Sequence, residues 1–405
     1  MRVLFIHPNF PAQFRHIARL LAQDPNNEVL FLTENIRPEW HIPGVRKRQL
    51  PLVSPISVNR PVLAPFLRTY ERGEAVLRAL IRLKSQGFSP DLVYVHTGWG
   101  VSWFVRDVYP HARILGYFEW FYNVDGADVC FGRKKPPSPA FSAKLRMKNQ
   151  VMINDLIACD RGISPTRWQH AQFPEPLRSK IHIIHDGIPT DFFKPDPDAR
   201  LDLPGIPLSG KEKIVTYAAR GMEPYRGFPQ FMRSLPIILE EDKKCHVIIA
   251  GSDRVCYGKP LSGGKSYKEE VLKTLDLDMN RIHFTGPLPY KDYRRLLQVS
   301  TVHVYLTRPF VLSWSLLEAM ATGCVVVGSG TEPVQEVIEE GVNGFLVDFF
   351  SPEDIAEKVI AILSYPSFMN GIRQKARETV HRRYDVKQMI DAQRNLIKKL
   401  TNYAF

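Results

Sequence analysis

Arg220 and Arg226 bracket the run Arg220-Gly-Met-Glu-Pro-Tyr-Arg226-Gly227, directly after an apolar stretch at Lys213 to Ala219. Two guanidinium groups at a strand-to-helix junction can fork onto a diphosphate and stay charged at any working pH. A second polar spot follows the β-rich run Val302 to Thr307, where the loop Arg308 to Trp314 carries Phe310, Leu312 and Ser313 into Ser315-Leu-Leu-Glu318. A helix starting there offers unpaired N–H groups and a positive dipole end to an anion. The Ser315-x-x-Glu318 spacing is also that of a capping box, in which Glu318 merely ties off the helix start. In the first half, His96 ends Asp91-Leu-Val-Tyr-Val-His96 and runs into Thr97-Gly98-Trp99-Gly100. An imidazole at the end of a parallel strand, beside glycines that leave room for a ligand, stands where function concentrates. Glu119 lies among aromatics in Gly116-Tyr-Phe-Glu119-Trp-Phe-Tyr122. Such a mixture suits sugars, whose C–H faces stack on rings while hydroxyls pair with carboxylates; core aromatics at a strand edge are the plainer alternative. Asn9, Gln13 and His16 follow the first strand, either lining a cleft or capping a helix.

These residues need strands that end where they stand. The sequence predicts strands over 2–8, 28–33, 91–96 and 113–122 in the first half, with a basic helix over 65–86. In the second half strands recur at 213–219, 246–251, 281–286, 302–307, 324–329 and 344–348, with helical segments between most of them, and this alternation means a doubly wound α/β sheet. The proline-rich, polar stretch from Lys194 to Glu212 reads as a linker. The domains expected are 1–193, a linker 194–212, 213–384, and a final amphipathic helix within 385–405. Two decoys fall away. Asp196-Pro-Asp198 sits in the linker, and Gly263-Gly264-Lys265-Ser266 lacks the earlier glycine and the leading strand of a phosphate loop, so it reads as a flexible loop.

The 405 residues, 44% hydrophobic, are ample for two or three domains with real cores. Five cysteines, an odd number in no metal-ligand spacing, fit free thiols in a reducing cytoplasm. MRVLFIHP reads as a strand rather than a signal peptide, and no uncharged apolar run approaches the ~18 residues of a membrane helix. The net charge of +12 is uneven: 1–190 holds 25 Lys+Arg against 15 Asp+Glu, or +10, and 191–405 holds 29 against 27, or +2. That points to an anionic partner for the first domain, with Arg46-Lys47-Arg48 and Arg133-Lys134-Lys135 as foci and no nucleic-acid reading motif. A cytoplasmic protein able to sit at the inner face of a membrane is the expectation.

Glu318-Ala-Met-Ala-Thr-Gly323 resembles the second half of the E-x7-E…A-M-A-x-G signature of the GT4 family of retaining glycosyltransferases. The position of the first glutamate is held by Phe310. Arg220 to Gly227 resembles that family's G-R-x4or5-[KR]-G element, Asp91 to His96 its histidine-bearing strand, and His283-Phe-Thr-Gly286-Pro287 its F-x-G turn beside the base. The segments Ser164-Pro165-Thr166 and Asp186-Gly187-Ile188 resemble further family segments. The resemblance implies a GT-B fold, two Rossmann-like domains facing across a cleft, with the acceptor mainly on the first and a nucleoside diphosphate sugar on the second. It implies ribose contact by Glu318, and donor binding by Phe310, Leu312, Ser313, Ser315, Gly286 and Pro287. Arg220, Arg226 and His96 would serve the reaction, with Asn9, Gln13, Trp99 and Glu119 on the acceptor side. No metal and no cofactor beyond the co-substrate is expected. The implied reaction moves a sugar, from a UDP or GDP conjugate, to a glycan, lipid-linked or small-molecule acceptor in surface polysaccharide or glycoconjugate synthesis, with a glycan, lipid-linked or other anionic acceptor as the expected partner. A non-catalytic nucleotide-binding or scaffold protein with a degenerate donor site is the alternative. A phosphorylase or hydrolase lacks its pyridoxal lysine or paired carboxylates.

Overall fold

The computed structural model describes residues 1–51, 61–202 and 213–403; part of the expected linker, 203–212, lies outside the described residues. The chain divides into two compact units, Met1–Gly187 with Val386–Phe405, and Ile188–Asp385. The expected boundary at 193 thus lies inside the second unit, where Phe193 is fully buried and its ring meets that of Tyr290 at 5.1 Å.

In the first unit short runs such as Val3-Leu-Phe-Ile6 and Leu92-Val-Tyr-Val-His96 are buried on both faces, the pattern of a parallel sheet covered by helices. Among the described residues seven parallel strands result: β1 Arg2–Ile6, β2 Glu28–Thr33, β3 Val45–Gln49, β4 Leu92–His96, β5 Arg113–Tyr117, β6 Arg161–Ser164 and β7 Ile181–Ile183. Their order is β3-β2-β1-β4-β5-β6-β7, with Val3 opposite Val29 on one side and Leu92 on the other. On one face the core holds Val3, Phe5, Phe14, Ile17 and Leu21, joined by Leu396 and Ile397 of the helix Val386–Thr401. Tyr94 at the sheet centre donates its hydroxyl to Gln393 of that helix (3.3 Å).

β3 does not show in the hydrophobic pattern, because Arg46-Lys47-Arg48 fills it. An edge strand carries charge as protection against further pairing. Here much of that charge is used internally. Arg46 meets Glu28, and Lys47 Nζ donates to the carbonyls of Ile36, Arg37 and Trp40. Lys47 is thereby committed to the strand's own scaffold, while Arg46 and Arg48 stay exposed.

Among its described residues the second unit has six parallel strands: β8 Lys213–Gly221, β9 Cys245–Ser252, β10 Ile282–Gly286, β11 Val302–Tyr305, β12 Val325–Ser329 and β13 Phe345–Val347. Their order, β10-β9-β8-β11-β12-β13, reverses direction between β8 and β11, the topological switch point of a doubly wound sheet. The corresponding point of the first unit lies between β1 and β4. The loop expected to be flexible at Gly263-Gly264-Lys265-Ser266 is instead a 3-10 turn followed by a helix from Tyr267. Ser266 and Glu269 cap that helix reciprocally, a box that glycine-weighted reading overlooked.

Candidate functional site

In the second unit a pocket opens at the β8/β11 switch point. Arg220, Arg226, Tyr257, Tyr305, Ser313 and Ser315 are among its lining residues. Arg226 ends a 3-10 turn, Pro224–Arg226, after which Gly227 adopts φ +64° and the helix Phe228–Glu241 begins. Arg226 is 6% exposed. It donates to Thr307 Oγ1 (2.7 Å), the Val311 carbonyl (3.2 Å) and Tyr305 Oη (3.4 Å), and lies 5.1 Å from the centre of the Tyr257 ring. Every one of these partners is neutral, and among the described residues Arg226 makes no ion pair. A buried cation without a carboxylate is costly unless an anion arrives to compensate it. Arg220, exposed on β8, likewise makes no ion pair among the described residues.

The opposite wall is the start of the helix Trp314–Ala321. Its N-cap is Ser313, whose backbone N–H is held by Tyr305 Oη (2.9 Å) and whose Oγ lies 3.0 Å from Ser315 Oγ. The Ser315–Glu318 capping box is therefore not made, because the helix begins two residues earlier than that pattern needs. Glu318, 5% exposed, instead accepts the hydroxyl of Tyr290, whose ring stacks on Phe192 (5.4 Å, 8°). Phe310 is 7% exposed and packs edge-on against Tyr225 (5.4 Å) and Tyr257 (5.5 Å). Leu312 belongs to the hydrophobic core with Ile188 and Leu316. Neither Phe310, Leu312 and Glu318 nor Gly286 and Pro287 at the end of β10 is among the lining residues of the pocket. Apolar side chains beside a site are drawn into the core, an outcome spacing alone does not reveal.

The first unit brings His96, Trp99, Gln13 and Glu119 together at the ends of β4 and β5. Trp99 Nε1 and the Thr97 carbonyl both lie 3.0 Å from His96 Nδ1. The indole N–H can only donate to Nδ1 and the Thr97 carbonyl can only accept from it, so the two contacts favour opposite tautomers of the ring. Nε2 is 3.8 Å from Glu119 Oε2, and Gln13 Nε2 donates to Glu119 Oε1 (3.0 Å). Burial lowers the His96 pKa, with Glu119 opposing, so the ring is neutral near pH 7. Beneath, Asp155 accepts the N–H of Gly98 (2.8 Å) and the hydroxyl of Ser102, and burial raises its pKa to about 6. Asn9 is occupied differently, its side-chain oxygen accepting from Asn35 (2.9 Å). His7, at the end of β1, was missed by sequence reasoning. Its ring meets that of His96 at 4.7 Å, and burial, reinforced by His96, holds its pKa well below the usual range. The available signal was that it ends its strand as His96 does.

Comparison with known proteins agrees with this geometry. Residues 25–193 match the family described as glycosyl transferase family 4 group, and residues 201–379 match glycosyl transferases group 1. A D-inositol 3-phosphate glycosyltransferase of Catenulispora acidiphila is 24% identical over 204 residues, 49% of this chain and 46% of the relative. The chain spans about half the length of the first curated relatives it matches. Among solved structures, sucrose-phosphate synthase from Thermosynechococcus elongatus superimposes with a TM-score of 0.75 at 18% identity, covering 100% of both chains. Anabaena HepE in complex with UDP and glucose gives 0.71 at 17%, covering 99% of this chain and 100% of that one. At these identities the likeness shows the fold, GT-B with two Rossmann-like domains.

Proposed function

The chain belongs to the group 1 glycosyl transferases, and we propose that it transfers a glycosyl unit from a nucleoside diphosphate sugar to an acceptor hydroxyl, with retention at the anomeric carbon. The observation that carries this reading is Arg226, a buried guanidinium at the switch point whose hydrogen-bonding partners are all neutral. As the bond from the anomeric carbon to the diphosphate breaks, negative charge grows on the phosphate oxygens. Arg226, Arg220 and the helix start at Ser313–Ser315 stabilise it. A phosphate oxygen on the same face takes the acceptor's proton, which accounts for retention without an enzyme nucleophile. Glu318, held by Tyr290, binds the ribose; His96, neutral, orients the sugar, with Gln13, Trp99 and Glu119 on the acceptor side. UDP, found with Anabaena HepE, is the first nucleotide to try.

The acceptor in this reading is an anionic glycan or lipid-linked species. Arg133, Lys134, Lys135, Lys144 and Arg146 are exposed, and no acidic residue occurs from Val129 to Asn154. Such a surface favours a phosphate-bearing acceptor and peripheral contact with an anionic membrane. Among the described residues no helix is long and apolar enough to cross one. A second reading, nucleotide binding without transfer, draws on Phe310, an aromatic where the family resemblance expects a sugar-binding glutamate.

Thermal denaturation with UDP, GDP, ADP and their sugars, run beside Arg226→Ala, is the test. A ligand at ~100 times its dissociation constant stabilises the native state by about 2.7 kcal/mol. One nucleotide should raise the wild-type transition and leave that of Arg226→Ala in place. Equal stabilisation of both would remove Arg226 from the site, and nucleotide binding with no sugar turnover across acceptors would favour the second reading.

A further inference from the structure

Three residues before Arg226 stands Glu223, fully buried. Its carboxylate does not turn to the arginine. Oε1 accepts the backbone N–H groups of Cys256 (2.9 Å) and Tyr257 (3.1 Å), and Oε2 those of Tyr257 (3.0 Å) and Gly258 (2.7 Å). Three consecutive amides on one ionised carboxylate form an anion nest whose anion is built in. The nest lies in the loop after β9, and the loop sits close because β8 ends in a glycine. A Cβ on Gly221 would stand 2.5 Å from the Arg254 carbonyl oxygen, and one on Gly258 would press on Glu223 at 3.2 Å. The residue carried at the middle of the nest is Tyr257, which reaches over Arg226 and closes an aromatic wall with Tyr225 (6.1 Å) and Phe310 (5.5 Å).

Two consequences meet at one residue. The carboxylate nearest to Arg226 in sequence is committed to the nest, so the guanidinium keeps its charge unneutralised. The same commitment hangs Tyr257 over that guanidinium and excludes water from it, which strengthens its pull on an incoming anion. We infer that Glu223 is a positioning residue that reserves Arg226 for the diphosphate of the donor and builds the Tyr257 wall beside it. This rests on the donor-site reading above. Glu223 itself touches no ligand.

The test compares UDP with UMP, and GDP with GMP, by calorimetry on the wild type, Glu223→Gln and Tyr257→Ala. Hydrogen exchange at Cys256, Tyr257 and Gly258 is followed on the wild type and Glu223→Gln without nucleotide. A glutamine amide turns one acceptor into a donor facing the N–H groups, so the nest opens. The expected result is faster exchange at the three amides in Glu223→Gln, with the diphosphate-over-monophosphate preference falling about tenfold in both variants. A loss of stability alone would weaken both nucleotides together and leave the preference unchanged. An unchanged preference with released amides overturns the reserved-cation role. Unchanged exchange in Glu223→Gln overturns the clamp. If Glu223→Gln does not fold, Tyr257→Ala decides, and a normal preference in it overturns the inference. Failure of the wild type to bind either diphosphate overturns the donor-site reading itself and this role with it, while exchange still reports on the clamp.

Discussion

That Arg220 and Arg226 would stand around one strand-to-helix turn, where both line a pocket, was legible from residue type and spacing. Glu223 between them was not, since a lone glutamate in a loop says nothing of the three amides it will meet from a segment 33 residues on. Phe310 shows the same limit: its identity was plain, its enclosure by Tyr225 and Tyr257 was not. Phe310→Glu returns a carboxylate to that aromatic wall and should alter which sugar of a donor series is used; unchanged preference would mean that the position does not reach the sugar. A different residue sets a pH dependence. His303 on β11 is fully buried, with Nδ1 2.8 Å from Thr216 Oγ1 and Nε2 without a partner among the described residues. Burial lowers its pKa from 6.5 to about 4. The unfolded chain therefore takes up a proton that the native state refuses, and stability is lost as pH falls from about 6.5 towards 4, by at most on the order of 3 kcal/mol. Asp155, raised to about 6 by burial, works in the opposite direction over part of that range. His303→Leu should therefore flatten the fall in melting temperature between about pH 7 and pH 5 relative to wild type; an identical slope would show that His303 does not titrate with unfolding.

Strands buried on both faces announced themselves as apolar runs, and twelve of the thirteen lie in or beside segments read from pattern or motif. β3 stayed hidden because an edge strand covered in Arg and Lys has the composition of a loop. The start of the helix Trp314–Ala321 was shifted, since serines at 313 and 315 compete for the cap and only the backbone decides between them. Close approach between elements is equally invisible in one dimension. Gly227 joins the 3-10 turn to the helix Phe228–Glu241 at φ +64°, and a Cβ there would stand 2.5 Å from Leu306 Cβ, just beyond β11. Gly227→Ala combines left-handed strain with that overlap and should cost about 2 kcal/mol or more, read as a lower urea midpoint. Because the turn also carries Arg226, nucleotide affinity should fall further than the stability loss explains; a variant as stable as wild type would contradict the packing.

Taken as a molecule, the chain divides its charge between its two halves, and the surplus in the first is only partly surface. Lys47 is spent on carbonyls and Arg46 meets Glu28, while Arg46 and Arg48 stay exposed, as does the longer acid-free stretch from Arg133 to Arg146. Each Lys or Arg near an anionic membrane contributes about 1 kcal/mol. Lys144→Glu with Arg146→Glu should thus weaken binding to phosphatidylglycerol vesicles at least tenfold to a hundredfold, and added salt should weaken the wild type in the same way. Equal binding by both proteins would move the contact elsewhere. The path of the backbone carries a consequence of another kind. The chain leaves the first unit at Gly187 and returns to it at Val386, so the second unit is one uninterrupted segment set into the first. Leu396 and Ile397, which complete the first core, are synthesised more than two hundred residues after every strand that shares it. On the ribosome the order of maturation is therefore inverted: the later-made unit can close on itself first, while the earlier-made sheet waits with an apolar face exposed for the last helix. Chaperone dependence should accordingly follow the first unit, and a nascent chain stalled before residue 386 should resist proteolysis in its second unit alone.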